Sequence, residues 1–100
     1  MKTSEGHYTA MLYVMFSLFS NFCYSQVRTA EGRMDILLKT ASTIYVMELK
    51  IDGSVDDALT QIDDKGYLIP YESDGRRLVK VGINFSSKER TIKEWKIAKG

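Results

Sequence analysis

Two apolar runs separated by a gap the size of a hairpin turn, "MDILLK" at 34–39 and "TIYVMELKI" at 43–51, constrain this chain more than any other feature. Both are rich in the aliphatic, β-branched and aromatic residues that fit a pleated surface, so both are expected to be strands. If Ala41 and Ser42 form a two-residue turn, the register places Asp35 directly opposite Glu48. Side chains alternate along a strand, so Glu48 and Lys50 share one face and Leu49 points to the other. Three charges therefore sit inside segments whose composition is that of a core.

The flanking segments supply the rest of the fold. Ser4 can cap a helix starting near Glu5, with Tyr8, Leu12, Met15, Phe19 and Phe22 as its inward stripe. Tyr13, Val14 and Phe16 widen that stripe, which predicts a helix covered on more than one side. "QVRTA" (26–30) is expected to be a short strand, turning at "EGR" into "MDILLK". After the third strand, "DGS" breaks the pattern. Ser54 can cap a second helix from Val55, with Asp56 and Asp57 favoured by the positive end of the helix dipole. Val55, Ala58, Leu59 and Ile62 form its apolar face, and Gly66 is a natural stop. "LVKVGINF" (78–85) and "TIKEWKIA" (91–98) are the last strands, with Trp95 expected to cover the sheet edge. The order is α-β-β-β-α-β-β: one domain over residues 1–100, of α/β or α+β class, with a mixed sheet and flanking helices.

Composition narrows the setting. A net charge of +1 gives no whole-molecule basic field, so an anionic partner must be met by local groups or by a metal. One cysteine, Cys23, excludes an internal disulfide framework and suits a reducing compartment. The apolar stretch from Ala10 to Phe19 is too short to span a bilayer, which takes roughly 20 residues. Glu5 and His7 dilute the basic flank of a leader, and no small-residue cleavage site follows Phe22-Cys23-Tyr24. The expected location is the cytoplasm.

Opposed residues of a hairpin have Cβ atoms roughly 4.5–5.5 Å apart, a spacing at which like charges repel. Two buried carboxylates that close do not both stay ionised without a partner. A divalent cation removes the conflict. Hard oxygen ligands beside an ammonium describe a magnesium or manganese centre that cleaves phosphodiesters, with Lys50 orienting water or stabilising a pentacovalent phosphate. On this view removing Glu48 weakens metal binding and raises the stability of the metal-free chain. The plainer alternative is a solvated Glu48–Lys50 pair on an exposed sheet face.

At these residues the chain resembles the PD-(D/E)xK nuclease superfamily. More narrowly, it resembles a bacterial branch found C-terminal to an AAA-type ATPase-like module. The likeness runs through "SEGHYTAMLY", "GRMDILL", "IYVMELKIDGS", "ALTQIDDKGY" and "VGINFSSKERTIKEWKI". It implies a restriction-endonuclease-like core and a Mg²⁺- or Mn²⁺-dependent deoxyribonuclease. Asp35 and Glu48 would be the metal-binding acids, with Glu5 completing the metal shell, and Lys50 the catalytic lysine. Gln61 and Tyr67 match the Q-x(5)-Y pattern of the second helix, implied to face substrate or to brace the catalytic strand. Met34 stands where the superfamily name has proline.

Arg76 and Arg77, with Lys80 and Lys88, are further candidates for phosphate contact. A nucleic acid, DNA above all, is the expected partner, with a homodimer and an ATPase-like module beside it and no membrane. The competing function is a catalytically silent nuclease-fold module that binds protein or nucleic acid.

Overall fold

In the computed structural model the described residues are 5–17 and 23–100, without the side chains of Glu5, His7, Met15, Phe16 and Ser17. The elements follow the expected order: α1 (Glu5–Ser17), β1 (Cys23–Arg28), β2 (Arg33–Lys39), β3 (Thr43–Ile51), α2 (Val55–Asp64), β4 (Arg77–Ser86) and β5 (Thr91–Lys99). The five strands form one sheet ordered β1-β2-β3-β4-β5. All neighbours are antiparallel except β3 and β4, which run parallel and are joined through α2. This is the mixed α+β core that the restriction-endonuclease-like expectation required.

The β2–β3 hairpin has the anticipated register. Ile36 pairs with Met47 and Lys39 with Ile44, and Thr40 N–H closes the turn on Thr43 O at 2.8 Å. Two apolar clusters cover the sheet, one per face. Tyr8 and Leu12 of α1 pack on Ile36, Met47, Leu49, Val81, Ile83 and Phe85, with the Tyr8 and Phe85 rings stacked 3.9 Å apart. Ile62, Tyr67 and Leu68 pack on Leu37, Ile44 and Val46 of the opposite face.

Ser54 Oγ accepts the Asp57 N–H at 3.0 Å and so caps α2 as its sequence position predicts. Gly66 ends the helix in the left-handed region (φ +60°), where a Cβ would also lie 2.6 Å from Ile69 Cδ1. Gly82 has a different role. A Cβ there would meet the Val55 carbonyl oxygen at 2.7 Å, so glycine is what lets the start of α2 lie directly on β4.

Three expectations need correction. The first strand begins at Cys23 and ends at Arg28, earlier than "QVRTA", because Cys23, Tyr24 and Ser25 already pair with Leu38, Leu37 and Ile36 of β2, and Gln26 takes a left-handed backbone (φ +54°) between the paired Ser25 and Val27. Cys23 consequently packs with the α1-side cluster and Val27 with the α2-side one. The first helix is not covered all round: Val14 is 58% exposed, and Met11 and Tyr13 also face outward. Among its described side chains Tyr8 and Leu12 join the sheet's apolar cluster, and Met15, Phe16, Phe19 and Phe22 lie outside the described side chains. Trp95, on the terminal strand, is 68% exposed and not packed down over the sheet edge by the described residues.

Candidate active site

Asp35 and Glu48 lie where the β2–β3 ladder gives way. The last paired residues on that side are Ile36 and Met47, and the next register position is occupied by the two acids. Their side chains take over the backbone hydrogen bonding. The Asp35 N–H donates to Glu48 Oε1 at 3.0 Å, and the Leu49 N–H donates to Asp35 Oδ2 at 2.8 Å. Each carboxylate thus binds the main chain of the other strand, a crossed clasp between β2 and β3.

From Glu48 the network continues to α2. Gln61 Nε2 donates to Glu48 Oε2 at 2.8 Å, and Lys50 Nζ donates to Gln61 Oε1 at 2.6 Å. One side-chain amide therefore spans the two functional groups that β3 presents on its α2 face. Gln61 reaches them because α2 crosses β3 and β4 closely, which Gly82 permits. Buried Asn84 fixes the entry to that helix: its side chain accepts the Gly53 N–H and donates to Gly53 O, both at 3.0 Å. Asp52 adds hydrogen bonds to the backbone and hydroxyl of Ser87. The β3–α2 connection is pinned on both sides.

The electrostatics are those of a charge conflict held in place. Glu48 is 2% exposed. Burial, then the adjacent Asp35 charge, push its carboxyl up to about 8 from the usual 4.5. Burial also raises Asp35, against the Leu49 N–H, a hydrogen bond with Glu48 and the Lys50 charge, which all favour its ionised form. Both shifts favour retention of a proton by the metal-free pair near neutral pH.

This donor set fits a hard divalent cation. It offers two carboxylates, each oxygen of Glu48 using one lone pair for an N–H and retaining another. A bound cation would replace the retained proton as the charge that balances the pair. Among the described residues no third acid, histidine or cysteine joins them. The Glu5 side chain, expected to complete the shell, lies outside the described residues.

Other candidates fall in different places. Tyr67 is 1% exposed and donates its hydroxyl to Arg33 O at 2.9 Å, which secures the start of β2. Burial raises its hydroxyl pKa. Arg76 and Arg77 are not brought to the acids. Arg77 pairs with Thr43 and Glu48 with Gly82, five residues further along parallel strands, a separation of about 17 Å. Arg76 instead pairs with Asp74 at 3.0 Å and donates to Thr40 O. A cluster of arginines next to a strand in sequence says nothing about which end of the sheet it occupies. Lys80 lies on the α2 face of β4, tied to Asp63 at 3.0 Å.

Sequence reasoning missed Gly82 and Asn84. The available signal was "VGINF", a glycine and an amide inside an otherwise apolar strand.

The family model of the PD-(D/E)XK nuclease superfamily matches residues 3–95. The chain belongs to this superfamily. A relative in Azotobacter chroococcum mcd 1, described as an uncharacterized protein in the vnfD 5′ region, is 28% identical over 90 residues. The match covers 88% of this chain and 17% of that relative, so the chain spans about a sixth of the relative's length. No solved structure matches the chain. The fold is thus a nuclease fold, of a superfamily whose members are usually hydrolytic and typically use divalent metal ions. No described helix is long and apolar enough to cross a membrane.

Proposed function

We propose that this PD-(D/E)XK domain hydrolyses phosphodiester bonds in DNA, in a reaction that depends on Mg²⁺ or Mn²⁺. The observation that carries the reading is the continuous link Lys50–Gln61–Glu48, with Asp35 crossed against Glu48. A solvated surface pair has no reason to be buried, to hold a proton, or to be joined by a helix-borne amide.

In this reading Asp35 and Glu48 hold the cation, with Glu5 as a further ligand. When bound, the cation supplies Lewis-acid charge that neutralises the phosphate and favours water as nucleophile. Lys50 places its ammonium beside the attacked phosphate, orienting the water and balancing charge on the non-bridging oxygens as it builds up. Gln61 is a positioning residue that limits where Nζ can point. Tyr67 braces β2, so that Asp35 stays in register with Glu48. The products are a phosphate monoester end and a freed hydroxyl. The cytoplasm is the proposed setting, and the far longer relative leaves room for an ATPase-like module on the same chain.

The test is cleavage of labelled DNA and RNA by the wild-type chain and by Lys50→Ala, with Mg²⁺, with Mn²⁺ and with chelator. Metal-dependent DNA cleavage that Lys50→Ala abolishes, while its circular dichroism is unchanged, supports the reading. Undiminished cleavage by Lys50→Ala removes the lysine's role. Absence of cleavage by the folded wild type with either metal leaves the silent binding module.

A further inference from the structure

Among the described residues no helix covers β5 on the α1 side of the sheet. Among the described elements α1 packs on β1, β2 and β3 and, through Tyr8 and Leu12, on β4, and a groove of about 470 Å³ remains between Leu12, Met47, Ile83 and the β5 side chains Ile92, Trp95 and Ile97. Trp95 and Ile97 are 68% and 62% exposed and line one groove together with Ile92, an apolar patch and not scattered single residues. β5 is also a terminal strand of the sheet, with one row of backbone groups not used by β4.

We propose that β5 pairs antiparallel with β5 of a second copy of this chain, about a two-fold axis at Trp95, and that the two grooves close over the paired tryptophans. The charge pattern of β5 selects this occupant and this register. Trp95 lies opposite Ile83 and so faces the groove, whereas Glu94, opposite Asn84, and Lys96, opposite Gly82, face α2. Lys96 reaches Asp56 of α2 at 3.3 Å, which fixes that orientation. An axis at Trp95 sets Glu94 of each copy against Lys96 of the other, two opposite-charge pairs flanking the axis. Moving the axis by one residue toward Glu94 sets Glu94 against itself. Moving it toward Lys96 sets Lys96 against itself. Of these three registers only the central one is self-complementary in charge while joining the apolar faces. The axis lies two strands from Glu48, so the contact leaves the acid pair untouched, and its failure says nothing about catalysis.

The experiment is sedimentation equilibrium of the full chain from micromolar to near-millimolar concentration, with Trp95 emission followed in parallel, since it is the single tryptophan. Wild type and Asp56→Asn are compared with Glu94→Lys, Lys96→Glu and the double exchange, the last three built on Asp56→Asn so that Lys96→Glu meets no local repulsion. Circular dichroism checks each fold. The expected result is a concentration-dependent dimer with blue-shifted emission. Each single variant should associate about tenfold more weakly or worse, and the double exchange should regain wild-type association. A monomeric wild type across the range overturns the proposal. So does a dimer indifferent to the single exchanges, or a folded double variant that stays monomeric.

Discussion

Lys50 and Glu48 are joined through one amide, Gln61, which accepts from Nζ at 2.6 Å and donates to Oε2 at 2.8 Å. The two residues share a strand face, and the helix supplies the part that relates them. Gln61→Leu removes both bonds while keeping an apolar body on α2. Phosphodiester cleavage should fall about 10–100-fold, the range for residues that orient metal ligands. Because the lost N–H favoured the ionised form of Glu48, metal should also begin to bind at higher pH. Calorimetric titration with Mn²⁺ across pH reads this directly, and an unmoved pH dependence would contradict it.

Stability without metal should fall as pH rises. In the fold Glu48 keeps its proton up to about 8, whereas the unfolded chain releases it near 4.5. Between those values the native state binds the extra proton, so each increment of pH favours unfolding, by at most about 1.4 kcal/mol per unit. Thermal melts in chelator from pH 5 to pH 8 check the slope, and Glu48→Gln should flatten it.

Glu48→Ala should destabilise the metal-free protein, the opposite of what charge repulsion alone suggests. The substitution leaves the Asp35 N–H and Gln61 Nε2 without their acceptor in a buried place, at a cost of about 1–3 kcal/mol. The full penalty should appear at pH 5, where Glu48 is protonated. It should shrink above pH 8, where the variant escapes the repulsion. Urea unfolding at both pH values measures the difference.

Metal should stabilise the wild type and not Asp35→Asn. Binding to the native state alone at about 100-fold saturation adds roughly 2.7 kcal/mol. Asp35→Asn keeps an oxygen for the Leu49 N–H but loses the charge, so a melt with and without Mn²⁺ separates ligation from folding. An equal rise in both proteins would place the metal elsewhere.

Gly82→Ala should cost about 1–3 kcal/mol, because the added methyl meets backbone at Val55 and not a yielding side chain. Cleavage should fall further than stability explains, since the displaced helix carries Gln61. Assays well below the variant's melting temperature isolate that loss.

Much of this was readable from local pattern. β3 begins and ends where "TIYVMELKI" does, and the Ala41–Ser42 turn fixed the partners of Asp35 before any strand order was known. Gln61 could be singled out only through a family pattern, because a lone polar residue on a helix between Ala58 and Ile62 does not show what lies beneath it. The end of the sheet at which Arg77 falls depends on β4 running parallel to β3, a long-range choice with no local signal. The exposure of Val14 was hidden for a related reason: a helix apolar on several sides does not tell which side finds a sheet.

The crossed clasp also changes what these residues signify in a sequence. Asp35 and Glu48 terminate a hairpin by supplying acceptors that its own backbone no longer provides. A descendant that had lost the reaction would still meet selection against replacing either one, because the hairpin would fray. The acids record an architectural debt as well as the proposed chemical one, and on the proposed function the residue whose loss would date the end of catalysis is Lys50.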